Sequence, residues 1–119
     1  NKILDSFAND ENSFAFAAYI NNRPSACTFC VHDGTTSYYL FGGYDAANKH
    51  HGAGPGCMWQ AILHAKKIGL KIFDFEGSML PEVEKYFREF GGELVPYYTI
   101  QKAWLPLEMI LKLKMRNRF

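Results

Sequence analysis

Hydrophobic and polar positions along this chain first change their period near residue 56. Before that point the pattern alternates. Residues 14–20 read as a strand, and Asn21-Asn22-Arg23-Pro24 as the turn that ends it. Residues 25–32 form a second strand-like run, closed by Asp33-Gly34-Thr35-Thr36. Residues 37–44, through Tyr38, Tyr39, Leu40 and Phe41, form a third, and the short turns predict an antiparallel meander. After that point the period is helical. A helix is expected over 56–68, stopped by the capping Gly69. A strand over 70–76 follows, then a helix over 81–90 with Pro81 in its first turn and Gly91-Gly92 at its end. Residues 93–100 read as a last strand. Residues 106–115 read as an amphipathic helix through Leu107, Ile110 and Leu111, although 111–116 also alternates like a strand. Ahead of all these, Ile3, Leu4 and Phe7 mark the end of a helix over 2–8. The order (α)βββαβαβ(α) predicts an α/β (α+β) fold with a mixed, mostly antiparallel sheet.

Composition narrows the setting. A chain of 119 residues, 48% hydrophobic and 21% charged, is expected to form one domain over 1–119. A net charge of +1 makes no general case for a nucleic-acid partner. The charge is uneven, however. From Lys102 onward, Lys102, Lys112, Lys114, Arg116 and Arg118 stand against Glu108 alone, so 103–119 forms a basic C-terminal segment. Three readings fit that segment: a solvated helix, contact with an RNA backbone, or contact with an anionic membrane surface. Three cysteines do not make a secreted disulfide framework. Cys27 and Cys30 have C-x-x-C spacing, but an odd separation on a strand sends the two sulfurs to opposite faces. No apolar run reaches the roughly 18 residues of a membrane span and no signal peptide is visible, so a cytoplasmic location is expected. The chain opens at Asn1 rather than Met and reads as a C-terminal fragment of a longer chain.

Candidate chemistry concentrates in three places. His50-His51-Gly52-Ala53-Gly54-Pro55-Gly56 runs into the first long helix. Glycines at a helix N-terminus bring bare N–H groups and the positive dipole end together, which suits an anion; a glycine-eased loop is the plain alternative. His50 and His51 either contact a phosphate or move a proton there, or are exposed loop residues; without a third ligand at suitable spacing they do not make a metal site. Asp74 and Glu76 share one face of their strand by alternation. Glu76 is the candidate general base; the alternative is that both carboxylates hold the turn at Gly77-Ser78. Gly42 and Gly43 interrupt an aromatic strand, which marks a bulge or the close approach of another backbone. Tyr97 and Tyr98 point to opposite faces of the last strand, one toward the core and one toward the site. His64, beside Lys66 and Lys67, reads as a solvated face.

This order, with a glycine loop after the third strand, resembles the GNAT acyltransferase fold. Lys49-His50-His51-Gly52-Ala53-Gly54 is similar to that superfamily's pyrophosphate loop, Gln/Arg-x-x-Gly-x-Gly/Ala, with lysine at the first position. A closer resemblance is to the Fem-like branch, which includes the peptidoglycan aminoacyltransferases. Residues 38–45, 58–62, 73–78 and 90–98 carry that likeness, which spans about residues 13–102. The resemblance implies an acyl or aminoacyl transferase acting on an amine acceptor. Its donor is an acyl-CoA such as acetyl-CoA, taken as co-substrate with no cofactor permanently bound, or an aminoacyl-tRNA. Donor phosphates would lie at Lys49, Gly52, Ala53, Gly54 and Gly56, and its amide arm beside Gly42 and Gly43. Glu76 would serve as base, with His50, His51, Asp74, Ser78 and Tyr98 near the substrates. Acetyl-CoA-using members begin with a strand and two helices that are not visible here. A complete site would then call on a missing N-terminal half or on a second copy in a homodimer. Those members also often carry a proton-donating tyrosine four residues before the glycine that ends the second helix. Counted from Gly91 that position is Phe87, with Tyr86 next to it, about 100° around the helix. The alternative reading is a non-catalytic, degenerate half-domain serving as scaffold or dimerisation module.

Overall fold

The alternating first half of the chain folds into a meander, as its turns require. The computed structural model describes residue 6 and residues 8–78, 80–98 and 104–114. Strands β1 (Ser13–Ile20), β2 (Arg23–His32) and β3 (Thr36–Tyr44) pair antiparallel, and β4 (Ile72–Asp74) joins β3 in parallel, giving the order β1-β2-β3-β4. Asn21 and Asn22, with φ of 53° and 59°, make the two-residue turn between β1 and β2; two left-handed residues match the twist of the strands they join. Asp33 makes the next turn, its Oδ1 accepting from the N–H groups of Thr35 and Thr36 at 2.9 and 2.8 Å. One register shift matters below: between Phe29 and Cys30 of β2, β3 carries the extra residue Leu40.

Helix α1 (Ala53–Lys67) lies on one face of this sheet. Its contact stripe is built of small residues: Ala53, Cys57, Ala61 and Ala65, each four apart, are all buried. Side chains at this spacing stack along one face, so the helix sits close to Ala26, Phe16 and Ala18 of the strands. Met58, 1% exposed, fills the space beside the stripe. His64 belongs to the same face rather than to a solvated one. Its ring meets Phe14 edge-on at 4.7 Å and Phe16 at 5.5 Å, because seven residues from Cys57 is two helical turns. Helix α2 (Pro81–Arg88) contributes Phe87 to an aromatic cluster with Phe75, Phe73 and Phe90, and α3 (Leu105–Lys114) falls within a residue of the expected C-terminal helix.

Several boundaries differ from the sequence expectation. Helix α1 starts at Ala53, not Gly56. Pro55 is accommodated in the first turn, where its missing N–H is not needed, so the glycine stretch winds into the helix. The fourth strand is Ile72–Asp74 rather than 70–76, since Glu76 adopts a left-handed φ of 60° and leaves the ladder. Strand alternation therefore does not carry from Asp74 to Glu76. Residues 93–98 pair with no described strand; Tyr97 and Tyr98 are 76% and 87% exposed, so neither lies in the core. The short β4 has no long edge to capture that run. The expected helix over 2–8 and residues 99–100 lie, apart from Ser6 and Ala8, outside the described residues.

Candidate functional site

Strand β3 is held on one side along its whole length and on the other only at its start. Toward β2 its register runs from Ser37 to Tyr44, whereas toward β4 it pairs only through Thr36, Ser37 and Tyr38. β4 ends at Asp74, the partner of Tyr38, and residues 39–44 keep one backbone edge without a described partner strand. Unpaired N–H and C=O groups on such an edge are open to an extended ligand that carries amides of its own.

A cleft of about 290 Å³ opens beside that edge. Strands β2 and β3 supply Cys27, Thr28, Tyr39, Gly42, Gly43 and Tyr44; the following loop supplies Lys49, His50 and His51. Gly54, Pro55 and Met58 of α1 and Tyr86 of α2 complete it. The structure thus brings Gly42, Gly43, Lys49, His50, His51 and Gly54 together in one lining. Gly52, Ala53 and Gly56 are not part of it: Ala53 is buried against Ala26 and Cys57, and Gly56 N–H is bonded to Gly52 O at 2.9 Å. Asp74, Glu76, Ser78 and Tyr98 lie outside the lining as well. Asp74 Oδ1 accepts from Glu76 N–H at 2.7 Å, and Ser78 Oγ accepts from Leu80 N–H at 3.1 Å, so both hold local turns.

The polar end of the cleft is braced by a residue that sequence reasoning passed over. Asn48 donates through Nδ2 to the carbonyls of Ile20, Arg23 and Pro24, at 3.2, 3.0 and 3.1 Å, and its own carbonyl accepts from Ser25 Oγ at 2.6 Å. One side chain thereby ties the loop before His50 to the β1–β2 turn. Lys49 Nζ lies 5.1 Å from the centre of the Tyr44 ring, and the rings of His50 and His51 stack at 4.8 Å. His50 Nδ1 accepts from Gly52 N–H at 3.1 Å, which leaves the ring proton on Nε2 as an outward donor. Ala53 N–H is bonded to His50 O and Pro55 has no N–H. Gly54 N–H is therefore the first-turn donor left for a ligand, at the positive end of the helix.

The other end is phenolic. Tyr86, not Phe87, faces the cleft, while Phe87 stacks on Phe75 at 5.0 Å. Burial, with a smaller contribution from Tyr39, pushes the Tyr86 phenol up to about 12, so it keeps its proton across the physiological range. The position adjacent to the aligned one carries the hydroxyl because the aromatic cluster under α2 claims Phe87. Adjacency in sequence could not decide which ring goes inside. Among the described residues there is no cluster of three or more metal-ligating side chains, and no helix is long and apolar enough to cross a membrane. Cys27 is exposed and Cys30 buried, as opposite faces require.

Solved structures of acetyltransferases are similar to this fold. A ribosomal-protein-alanine N-acetyltransferase from Brucella melitensis biovar Abortus 2308 superposes with a TM-score of 0.59 at 9% identity, over 80% of this chain and 73% of that one. An aminoglycoside acetyltransferase from an uncultured soil metagenomic sample, in complex with trehalose, gives 0.61 at 13% identity, over 85% and 74%. Its sisomicin complex gives 0.55 at 16% identity over the same shares. No curated protein matches at the level of sequence. The four strands, the open edge of β3 and the helix that begins in the glycine stretch all fall within residues 1–88, which match the family described as acetyltransferase (GNAT) domain, and the chain belongs to that family.

Proposed function

We propose that this domain moves an acyl group from an acyl-CoA to an amine, with the donor stretched along the open edge of β3. The observation that carries this reading is that open edge beside the cleft. An unpaired strand edge runs from Tyr39 to Tyr44, with Tyr39 and Tyr86 in the cleft beside it and a cation, two imidazoles and a free helix N–H following its far end. That polarity fits a donor with a phosphorylated head, an amide-bearing arm and a reactive thioester at the tip. Phosphate oxygens are met by Lys49, by His50 Nε2–H and by Gly54 N–H, while the arm pairs with backbone near Gly42 and Gly43.

Beside these phenols the acceptor amine attacks the thioester carbonyl carbon. A C–N bond forms, the C–S bond breaks, and the thiolate takes the Tyr86 proton. The proton lost by the amine passes through water to Glu76, an exposed residue two positions past the end of β4 and outside the cleft lining. Positioning supplies most of the acceleration. The four motif blocks favour placement in the Fem-like branch, for which an aminoacyl ester would be the donor along the same edge. The single-domain reading of 1–119, with its basic segment over 103–119, stands beside this as part of the proposal.

Thermal unfolding with and without millimolar CoA and acetyl-CoA tests the donor. Saturation at a hundred times the dissociation constant stabilises by about 2.7 kcal/mol and raises the midpoint by several degrees. Tyr86→Phe is then expected to keep that shift but lower kcat by about a hundredfold or more. A donor with a more acidic leaving thiol should recover most of the loss. No shift with either compound overturns the acyl-CoA reading and leaves an aminoacyl-tRNA donor or a non-catalytic module.

A further inference from the structure

Tyr39 and Gly42 are three residues apart, an odd spacing that puts side chains of a regular strand on opposite faces. Here they share a face. The extra residue at Leu40 shifts the register, so that Tyr39 pairs with Cys30 while Gly42 pairs with Thr28. Cys30 and Thr28 are both buried on the side covered by α1. The consequence is a close approach. A Cβ built at Gly42 would stand 2.5 Å from Tyr39 Oη and 3.0 Å from the Cys27 carbonyl oxygen. Only a glycine lets the Tyr39 hydroxyl lie across the strand there.

That hydroxyl is held but unemployed. The Tyr39 ring meets Phe87 edge-on at 5.8 Å, which fixes its direction, and the side chain lines the cleft. Its Oη makes no hydrogen bond among the described residues. Tyr39 is also the first residue of β3 past the last pair with β4, and its hydroxyl reaches along the unpaired part of the strand to Gly42. Burial raises its pKa, and the group stays a neutral donor at working pH.

We infer that the Tyr39 hydroxyl donates to the carbonyl oxygen of the donor's acyl group, and that Gly42 is the residue that admits it to that position. The inference rests on the acyl-CoA reading above. A neutral O–H at this point recognises the acyl group in the bound donor and meets the negative charge that grows on the same oxygen during attack. The proton stays on Tyr39; only Tyr86 gives one up.

The test compares dissociation constants of acetyl-CoA and CoA by calorimetry in the wild-type protein, Tyr39→Phe and Gly42→Ala. One neutral hydrogen bond is worth about a 3- to 10-fold preference for acetyl-CoA. Tyr39→Phe should remove that preference while leaving CoA affinity and the unfolding midpoint unchanged, which a merely structural tyrosine would not do. Gly42→Ala should remove it too, by driving the hydroxyl off the strand. CoA binding with no preference in the wild type, or with a preference that survives Tyr39→Phe, overturns this assignment alone. Binding of neither compound overturns the donor reading and this assignment with it.

Discussion

Replacing Gly54 with alanine separates the two things that this residue does. As the second residue of α1 it is a helix position, and a Cβ built there meets nothing within 4 Å. Alanine costs less conformational entropy than glycine on entering a helix, a difference of about 0.8–1.0 kcal/mol in a helix interior. In the first turn roughly half of that applies, so Gly54→Ala should raise the unfolding midpoint by about 2 °C. The same methyl group would stand beside the N–H that faces the cleft. Losing one charge-assisted hydrogen bond to a phosphate costs about 1.5–3 kcal/mol, or roughly 10- to 150-fold in donor affinity. The variant should therefore be more stable and bind less tightly, measured by thermal unfolding and by titration with CoA. Unchanged affinity would refute the placement of phosphate at this helix start. A lower midpoint would refute the open space around Gly54.

Met58→Ala removes a side chain that is 1% exposed and should destabilise by about 2–5 kcal/mol, seen as a fall of roughly 10 °C in midpoint. A loss under about 1 kcal/mol would mean that this part of the core is not packed around it. Thiol labelling at pH 8 should modify Cys27 quickly and Cys30 slowly, because Cys27 is exposed and burial pushes the Cys30 thiol up from 9.0 to about 11. The same displacement makes stability depend on alkali. Between about pH 9 and 11 the unfolded chain gives up the Cys30 proton while the folded chain keeps it, so stability should fall as pH rises through that window. In Cys30→Ala this part of the alkaline slope should disappear; an unchanged slope would assign it elsewhere.

Local pattern alone was enough for most of the fold. Alternation and turn residues located β1, β2 and β3, because a strand buried on one face repeats every two residues and Asn21-Asn22 suits only a tight hairpin. Helical spacing and capping glycines located α1 and α2 to within three residues. The family was legible too, in the order of elements and in the residues around the glycine stretch. Pattern misjudged elements whose state depends on partners. Residues 93–98 alternate like a strand, yet a strand exists only where an edge receives it.

The candidate site was legible in part. Gly42 and Gly43 could be named because they interrupt an aromatic strand, and Lys49, His50, His51 and Gly54 because they form or flank a glycine stretch that runs into a helix. Thr28, Tyr39, Tyr44, Met58 and Tyr86 could not, since each is an ordinary core or strand residue until its neighbours are known. Asn48, four of whose hydrogen bonds reach 23 to 28 residues back along the chain, left no trace in the local pattern. Periodicity is a property of neighbours in sequence, and it determined which segments are strands and helices. Register, the end of β4 at Asp74 and the choice of Tyr86 over Phe87 depend on what each residue meets across the fold. Close packing allows only one ring in each place, and only the tertiary structure decided which.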